Sequence, residues 1–230
     1  MLELGIDDAG RGPVIGPMVL AGCLIDEKTA KEFKKLGVRD SKQLTSKRRE
    51  FLAQKIKEKV KSFEVVLTSA DEINSKQDSG TNLNMLEAIK AAKIINKINN
   101  QISSKDHPEG RKIRVVVDCP STSIVKWRDL LKTKIKNLSN LDVVCEHKAD
   151  KNHVSVSAAS ILAKSAREKE MGKLKEKYGD EMGSGYTSDP ATTKFLAKNI
   201  TKHKDSGIFR KNWITWKKAQ AKSEQKKLDF

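Results

Sequence analysis

Apolar positions along the chain change period several times, and each change predicts an element. Residues 2–7 and 14–25 are apolar, β-prone runs on either side of a tight Gly10-Arg11-Gly12-Pro13 turn, which predicts a hairpin inside a sheet. Leu44, Phe51, Leu52, Ile56 and Val60 then fall near helical spacing among Lys, Arg and Glu. With Thr45 placed to cap the start, residues 45–60 read as an amphipathic surface helix. Residues 63–68 form a short third strand. Met85, Leu86, Ile89, Ala92, Ile95, Ile98 and Ile102 restore the helical period over residues 83–102, and a polar loop covers 103–110. Residues 113–117 are a near-continuous β-branched run closed by Asp118, the pattern of a buried strand ending in a carboxylate. Residues 124–135 predict a helix and 141–145 a fifth strand. Residues 156–178 predict a long helix, small and apolar first and strongly charged later.

Alternation of strands and helices after the opening hairpin predicts a three-layer α/β domain with a mixed sheet, assigned to residues 1–188. Residues 189–230 read as a basic helical region with two helical stretches and the aromatic residues Phe209, Trp213 and Trp216. Its tail, 219–227, is polar and lysine-rich enough to fray. No internal repeat is visible.

Composition adds a partner class. The chain has 230 residues, with 46 Lys and Arg against 30 Asp and Glu, a net charge of +16. An excess of one sign on that scale attracts polyanions, nucleic acid first among them. Cys23, Cys119 and Cys145 are odd in number, far apart and outside any CxxC spacing, which fits a reduced, cytoplasmic protein. The uncharged run 14–25 is too short and too rich in Gly and Pro to span a bilayer, and the start of the chain reads as no signal peptide.

The chemistry sits where strands end. Asp7 and Asp8 close the first strand, Asp118 closes the fourth, and Asp150 follows the fifth in Glu146-His147-Lys148-Ala149-Asp150-Lys151. Open α/β sheets hold ligands at strand carboxyl ends, and carboxylate oxygens suit Mg²⁺ or Mn²⁺ when phosphate completes the coordination. A single Asp there more often caps a turn; four in that position point to metal chemistry. Gly10-x-Gly12 is no dinucleotide loop, because the third glycine, Gly16, comes one residue late and an apolar run follows instead of a helix. Gly10, Arg11 and Gly12 instead expose thin backbone to a sugar or phosphate, with a plain hairpin turn as the alternative. Lys42, Arg49, Lys164 and Arg167 are candidate phosphate contacts, the last two sharing a helix face. Tyr186, in a flexible glycine-rich loop, is placed to stack on a sugar or base.

These segments together resemble one family. Gly5-Ile6-Asp7-x-Ala9-Gly10-Arg11-Gly12-Pro13-Val14-Ile15-Gly16-Pro17, Asp40-Ser41-Lys42-x-Leu44, Val117-Asp118, His147-Lys148-Ala149-Asp150, residues 157–164 and Gly183-Ser184-Gly185-Tyr186-x-Ser188-Asp189-Pro190 are similar, in order, to ribonuclease HII of archaeal type. The resemblance implies a ribonuclease H-like fold with a mixed five-stranded sheet flanked by helices and a C-terminal helical region. It also implies endonucleolytic cleavage of RNA in RNA–DNA hybrids and 5′ of ribonucleotides embedded in DNA, leaving 3′-hydroxyl and 5′-phosphate ends. Carried over by position, Asp7, Asp8, Asp118 and Asp150 would hold two divalent ions, Mg²⁺ or Mn²⁺. Gly10, Arg11 and Gly12 would read the 2′-hydroxyl, Tyr186 would probe it and stack on the neighbouring sugar, and Lys42, Arg49, Lys164 and Arg167 would meet phosphates.

Two departures from the family stand out. Its second acidic residue is usually Glu, and Asp8 is shorter by one methylene, about 1.5 Å of reach. Gln225, Leu228 and Phe230 resemble a sliding-clamp-binding box whose aromatic arrives one residue early and alone. Composition alone leaves open a non-catalytic hybrid binder and a metal-dependent phosphatase or nuclease of another fold. The ordered motifs favour the nuclease, since a pure binder has no need of clustered acids facing a polyanion. A monomer suffices for every reading.

Overall fold

A computed structural model of the chain describes residues 1–39, 44–102 and 112–228. Five strands, β1 (Leu2–Ala9), β2 (Met18–Asp26), β3 (Ser62–Thr68), β4 (Ile113–Asp118) and β5 (Leu141–Glu146), form one sheet in the order β3-β2-β1-β4-β5. β1 runs antiparallel to β2 and parallel to β4, and β4 runs parallel to β5. The sheet is therefore mixed, with the parallel strands in its middle and at one edge. Register does the important work: Ile6 pairs with Val117, and Asp118 pairs with Glu146. Continuing the first pairing by one residue sets Asp7 level with Asp118, at the carboxyl ends of adjacent parallel strands.

The helices are α1 (Glu27–Leu36), α2 (Ser46–Lys59), α3 (Ala70–Asp78), α4 (Leu83–Gln101), α5 (Ile124–Lys134), α6 (Ala149–Asn152), α7 (Val154–Tyr178), α8 (Pro190–Asn199) and α9 (Ile214–Leu228). Thr45 caps α2 as expected, its side chain accepting from the Arg48 amide. α1 is absent from the sequence reading, although its apolar residues Ala30, Phe33 and Leu36 fall three apart and pack on the first unit's core. The tail expected to fray instead continues α9 to Leu228. Among the described residues no helix is long and apolar enough to cross a membrane.

Contacts divide the chain into two units. The first comprises Met1–Ala9, Val19–Val66 and Leu83–Ala166. In it Val19, Ala21, Cys23 and Ile25 alternate along β2 and meet Phe33 of α1, Leu52 and Ile56 of α2, and Ala158, Ile161 and Leu162 of α7. Gly5 lets α7 lie directly on β1, because a Cβ there would fall 2.2 Å from the Ser155 carbonyl carbon and the Val156 nitrogen. The second unit comprises Gly10–Met18, Leu67–Asn82 and the chain from Arg167 onward. Its core gathers Val14, Ile15, Met171, Met182, Phe195, Leu196, Phe209 and Trp216, the last two rings 4.7 Å apart.

Residues 14–17 are not strand, contrary to the expectation of one run from 14 to 25. Pro13, a left-handed Gly16 and Pro17 interrupt it. The amides of Val14 and Ile15 instead donate to the Gly185 carbonyl, and Ile15 bridges to Phe209. A segment that looked like the start of a strand is thus part of the second unit's core.

Candidate active site

In the first unit, β1 and β4 bring Asp7, Asp8 and Asp118 to one pocket, walled on its apolar side by Leu20, Pro120 and Trp127. Asp7 is only 6% exposed. Its Oδ1 accepts the Asp8 amide at 2.7 Å, and the Ser160 hydroxyl of α7 also reaches the carboxylate. Asp118 Oδ1 accepts the amide of Ala149 at 3.1 Å, which ties the end of β4 to the start of α6. Asp150, the next residue, is buried, and its carbonyl accepts the Ser157 hydroxyl. It adjoins the residue that Asp118 holds and does not line the pocket of the other three.

The electrostatics of this pocket are unfavourable by themselves. Burial, and after it the charges of Asp8 and Asp118, hold the Asp7 carboxyl well above the usual carboxylate range; the Ser160 and Asp8 hydrogen bonds offset only part. Among the described residues no group of three or more His, Cys, Asp or Glu side chains forms a ready-made metal cage. An all-oxygen, half-built set of this kind fits a hard divalent ion that takes the rest of its ligands from water and substrate phosphate, as Mg²⁺ characteristically does.

A fourth acid lines the same pocket. Glu87 of α4 is 1% exposed and stands with Asp7, Asp8 and Asp118. The sequence reading missed it, although a signal was available: Glu87 precedes Ala91 by four residues and Ile94 by seven, so it occupies the buried stripe of α4. A charge on the apolar stripe of a helix marks either a misread face or a site.

In the second unit, Gly10 is buried at φ 79°, and a Cβ there would lie 2.3 Å from Arg167 Nε and 2.7 Å from the Pro17 carbonyl. Arg11 is half-buried and Gly12 is exposed. Tyr186 is 40% exposed, with the Arg167 guanidinium 5.0 Å from its ring centroid. Arg167 itself is buried, donates to the Ser184 carbonyl at 3.1 Å, and is held below its usual pKa chiefly by desolvation. Here it supports the ring from beneath instead of standing open to a phosphate.

The loop carrying Tyr186, expected to be flexible, is cross-braced. Asp189 accepts the amides of Ser184 and Ala191, which hold its carboxyl below the usual range. Thr192 Oγ1 accepts the Gly185 amide and donates to the Met182 carbonyl. Of the remaining candidates, Lys164 is half-buried on α7 of the first unit. Arg49 is buried and donates to the Leu44 carbonyl at 2.8 Å, so its guanidinium is used within the fold. Lys42 lies outside the described residues, as does Phe230; Gln225 is exposed on α9, which Leu228 ends.

Comparison with known proteins points to one family. The family described as Ribonuclease HII matches residues 4–216. Ribonuclease HII of Methanocaldococcus jannaschii is 40% identical over 234 residues, covering 99% of this chain and 99% of that protein. Among solved structures, ribonuclease H2 of Pyrococcus horikoshii OT3 superposes with a TM-score of 0.82 at 37% identity, over 96% of this chain and 98% of that one. The RNase HII in the PCNA:RNase HII complex of Archaeoglobus fulgidus gives 0.78 at 36%, over 93% and 95%.

Proposed function

The chain belongs to the ribonuclease HII family and is an endoribonuclease acting on RNA–DNA hybrids and on ribonucleotides embedded in DNA, and from that premise we propose how its residues divide the work. Asp7, Asp8, Asp118 and Asp150 are the metal-holding carboxylates. The observation that carries this reading is the gathering of Asp7, Asp8, Asp118 and Glu87 around one pocket at the strand ends, where burial and like charge push the Asp7 carboxyl up and a bound cation would relieve the repulsion. The family is dependent on divalent metal; two such ions, Mg²⁺ or Mn²⁺, would activate the attacking water and stabilise the leaving 3′ oxygen.

The protein's own part is placement. Ser160 and the Asp8 amide hold the Asp7 carboxylate, and the Ala149 amide holds Asp118, so both carboxylates are presented in set directions. The exposed backbone at Gly12 admits a ribose closely, and the Arg11 and Gly12 amides are donors suited to a 2′-hydroxyl. Tyr186, held over Arg167, offers a face to the neighbouring sugar. Lys164, with Lys42, meets backbone phosphates. Cleavage then falls 5′ of the ribonucleotide and leaves a 3′-hydroxyl and a 5′-phosphate.

A sliding clamp is a further proposed partner, through Gln225, Leu228 and Phe230; support comes from the Archaeoglobus fulgidus relative, a complex with PCNA. A reduced, cytoplasmic setting belongs to the same reading, in keeping with three buried, free cysteines. The test is a DNA duplex carrying one ribonucleotide, incubated with Mg²⁺ or Mn²⁺ and mapped for the cut. Cleavage confined to the 5′ side of that ribonucleotide is expected; retained binding without cleavage under both metals would overturn the proposal.

A further inference from the structure

A turn built on two glycines does not hold one geometry by itself, because glycine leaves its backbone the widest choice. Yet the Gly10-Arg11-Gly12 turn has to present N–H groups in fixed directions if it is to recognise one hydroxyl. A single buried side chain supplies the constraint. Arg210, 0% exposed, donates from Nη2 to the Gly10 carbonyl at 2.6 Å, from Nη1 to the Arg11 carbonyl at 2.8 Å, and from Nε to the Gly16 carbonyl at 3.0 Å. Its guanidinium lies 5.0 Å from the ring centroid of Trp213, whose Nε1 donates to the Gly12 carbonyl at 2.9 Å. The Arg210 amide donates in turn to the Val14 carbonyl. Two side chains three residues apart thus engage the carbonyls of residues 10, 11, 12 and 16.

The consequence follows from peptide geometry. A trans peptide is planar, with its C=O and N–H pointing in opposite directions, so fixing one residue's carbonyl fixes the amide of the next. Holding the Gly10 carbonyl aims the Arg11 N–H, and holding the Arg11 carbonyl aims the Gly12 N–H. Gly12 is followed by Pro13, which has no N–H, so Trp213 closes the turn without setting a further donor. The donors aimed outward by Arg210 are therefore those assigned to the 2′-hydroxyl. A planar guanidinium fork can meet three diverging carbonyls at once; a lysine ammonium is a point and cannot.

We infer that Arg210, held by Trp213, is a positioning residue that sets discrimination between ribose and deoxyribose by fixing the Arg11 and Gly12 amides. The inference rests on reading the Gly10-Arg11-Gly12 turn as the 2′-hydroxyl sensor. It is tested with two substrates: kcat/KM on a duplex with one ribonucleotide, and the inhibition constant of the same duplex made wholly of DNA as competitor. Arg210→Lys is expected to lower kcat/KM by about tenfold or more, the scale of one misdirected hydrogen bond to a recognised hydroxyl, while the DNA competitor's constant stays within about twofold. Trp213→Leu removes the ring that holds Arg210 together with the donor to Gly12, so it tests the same clamp even if Arg210→Lys fails to fold; about a threefold fall is expected there. Unchanged kcat/KM in the variants that fold, or parallel weakening toward both duplexes, would overturn the inference. A wild-type enzyme that binds the two duplexes equally would overturn the sensor reading itself, which is a separate result.

Discussion

The carboxylate pocket and the glycine turn begin two residues apart in the chain, at Asp8 and Gly10, yet their electrostatics are opposite. In the pocket, burial and like charge push the Asp7 carboxyl up, so the arrangement is paid for in stability until a cation arrives. In the turn, a buried guanidinium donates to three backbone carbonyls, so its charge is met by oppositely directed dipoles. One region holds an unmet demand for charge, and the other holds a shape. Chemistry that recruits a metal needs the first, and recognition of a neutral hydroxyl needs the second. Substitutions should therefore separate turnover from stability in the pocket and link them at the buried part of the turn, Gly10, but not at the open Gly12.

The largest effect is expected at the pocket. Asp7→Asn or Asp118→Asn should lower turnover on the order of a thousandfold or more, as loss of a group that organises transition-state charge does. Substrate binding should remain largely intact, which titration with a labelled single-ribonucleotide duplex checks. Wild-type turnover in either variant would end that residue's assignment as a metal ligand.

Next come the two glycines, which the structure treats differently. Gly12→Ala places its methyl in open space, so the melting temperature should hold while cleavage falls roughly tenfold to a hundredfold, because only the approaching substrate meets the new methyl. Gly10→Ala is strained at φ 79° and collides with Arg167 and the Pro17 carbonyl, so it should lose folding stability, about 1–3 kcal/mol, along with activity. Equal melting temperatures for the pair would erase the distinction between a turn fixed by the fold and one open to substrate.

These regions were not equally legible in the sequence. Asp118 was, since a β-branched run ending in Asp is a local signal, and Asp7 and Asp8 were because they close an apolar run just before a glycine turn. Glu87 hid inside a helix whose stripe is otherwise apolar, and finding it required the helical face to be tracked residue by residue. Arg210 had no local signal at all: its partners Gly10, Arg11 and Gly16 lie 194 to 200 positions away, and only the folded second unit joins them. The same long-range closure explains why residues 14–17 read as strand. Their apolar character was read correctly, but the partner was the Gly185 and Phe209 region and not a neighbouring strand. The sheet itself, built from short-range alternation, was recovered strand by strand.

A smaller effect is expected at Asp8, which lines the pocket where the family usually has Glu. Lengthening it by one methylene in Asp8→Glu should raise the single-turnover cleavage rate by about tenfold, because a misplacement near 1 Å at a reacting centre is costly. A fall, or no change, would show that this pocket is already adjusted to the shorter acid, with Glu87, which lines it too, the next residue to vary.

The smallest effect is on stability and turns on the sign of the Asp7 shift. Below the ordinary aspartate range Asp7 is protonated whether the chain is folded or not, and it costs nothing. As pH rises from there toward its elevated native value, the unfolded chain releases a proton that the native state keeps, so stability of the metal-free protein falls and then levels off. Each unit of elevation corresponds to about 1.4 kcal/mol. Asp26 and Asp189, capping α1 and α8, are both held below the usual range by amide hydrogen bonds. Their contribution has the opposite sign: present above the ordinary value and lost as pH falls through the lowered one. Because those caps are common to wild type and Asp7→Asn, the difference between the two urea-unfolding profiles in EDTA isolates Asp7. Asp7→Asn should gain on wild type steadily from about pH 4 upward, and saturating Mg²⁺ should shrink that gain. A gap that stays flat with pH would mean that the pocket bears no charge cost, and the contrast with the turn would then rest on geometry alone.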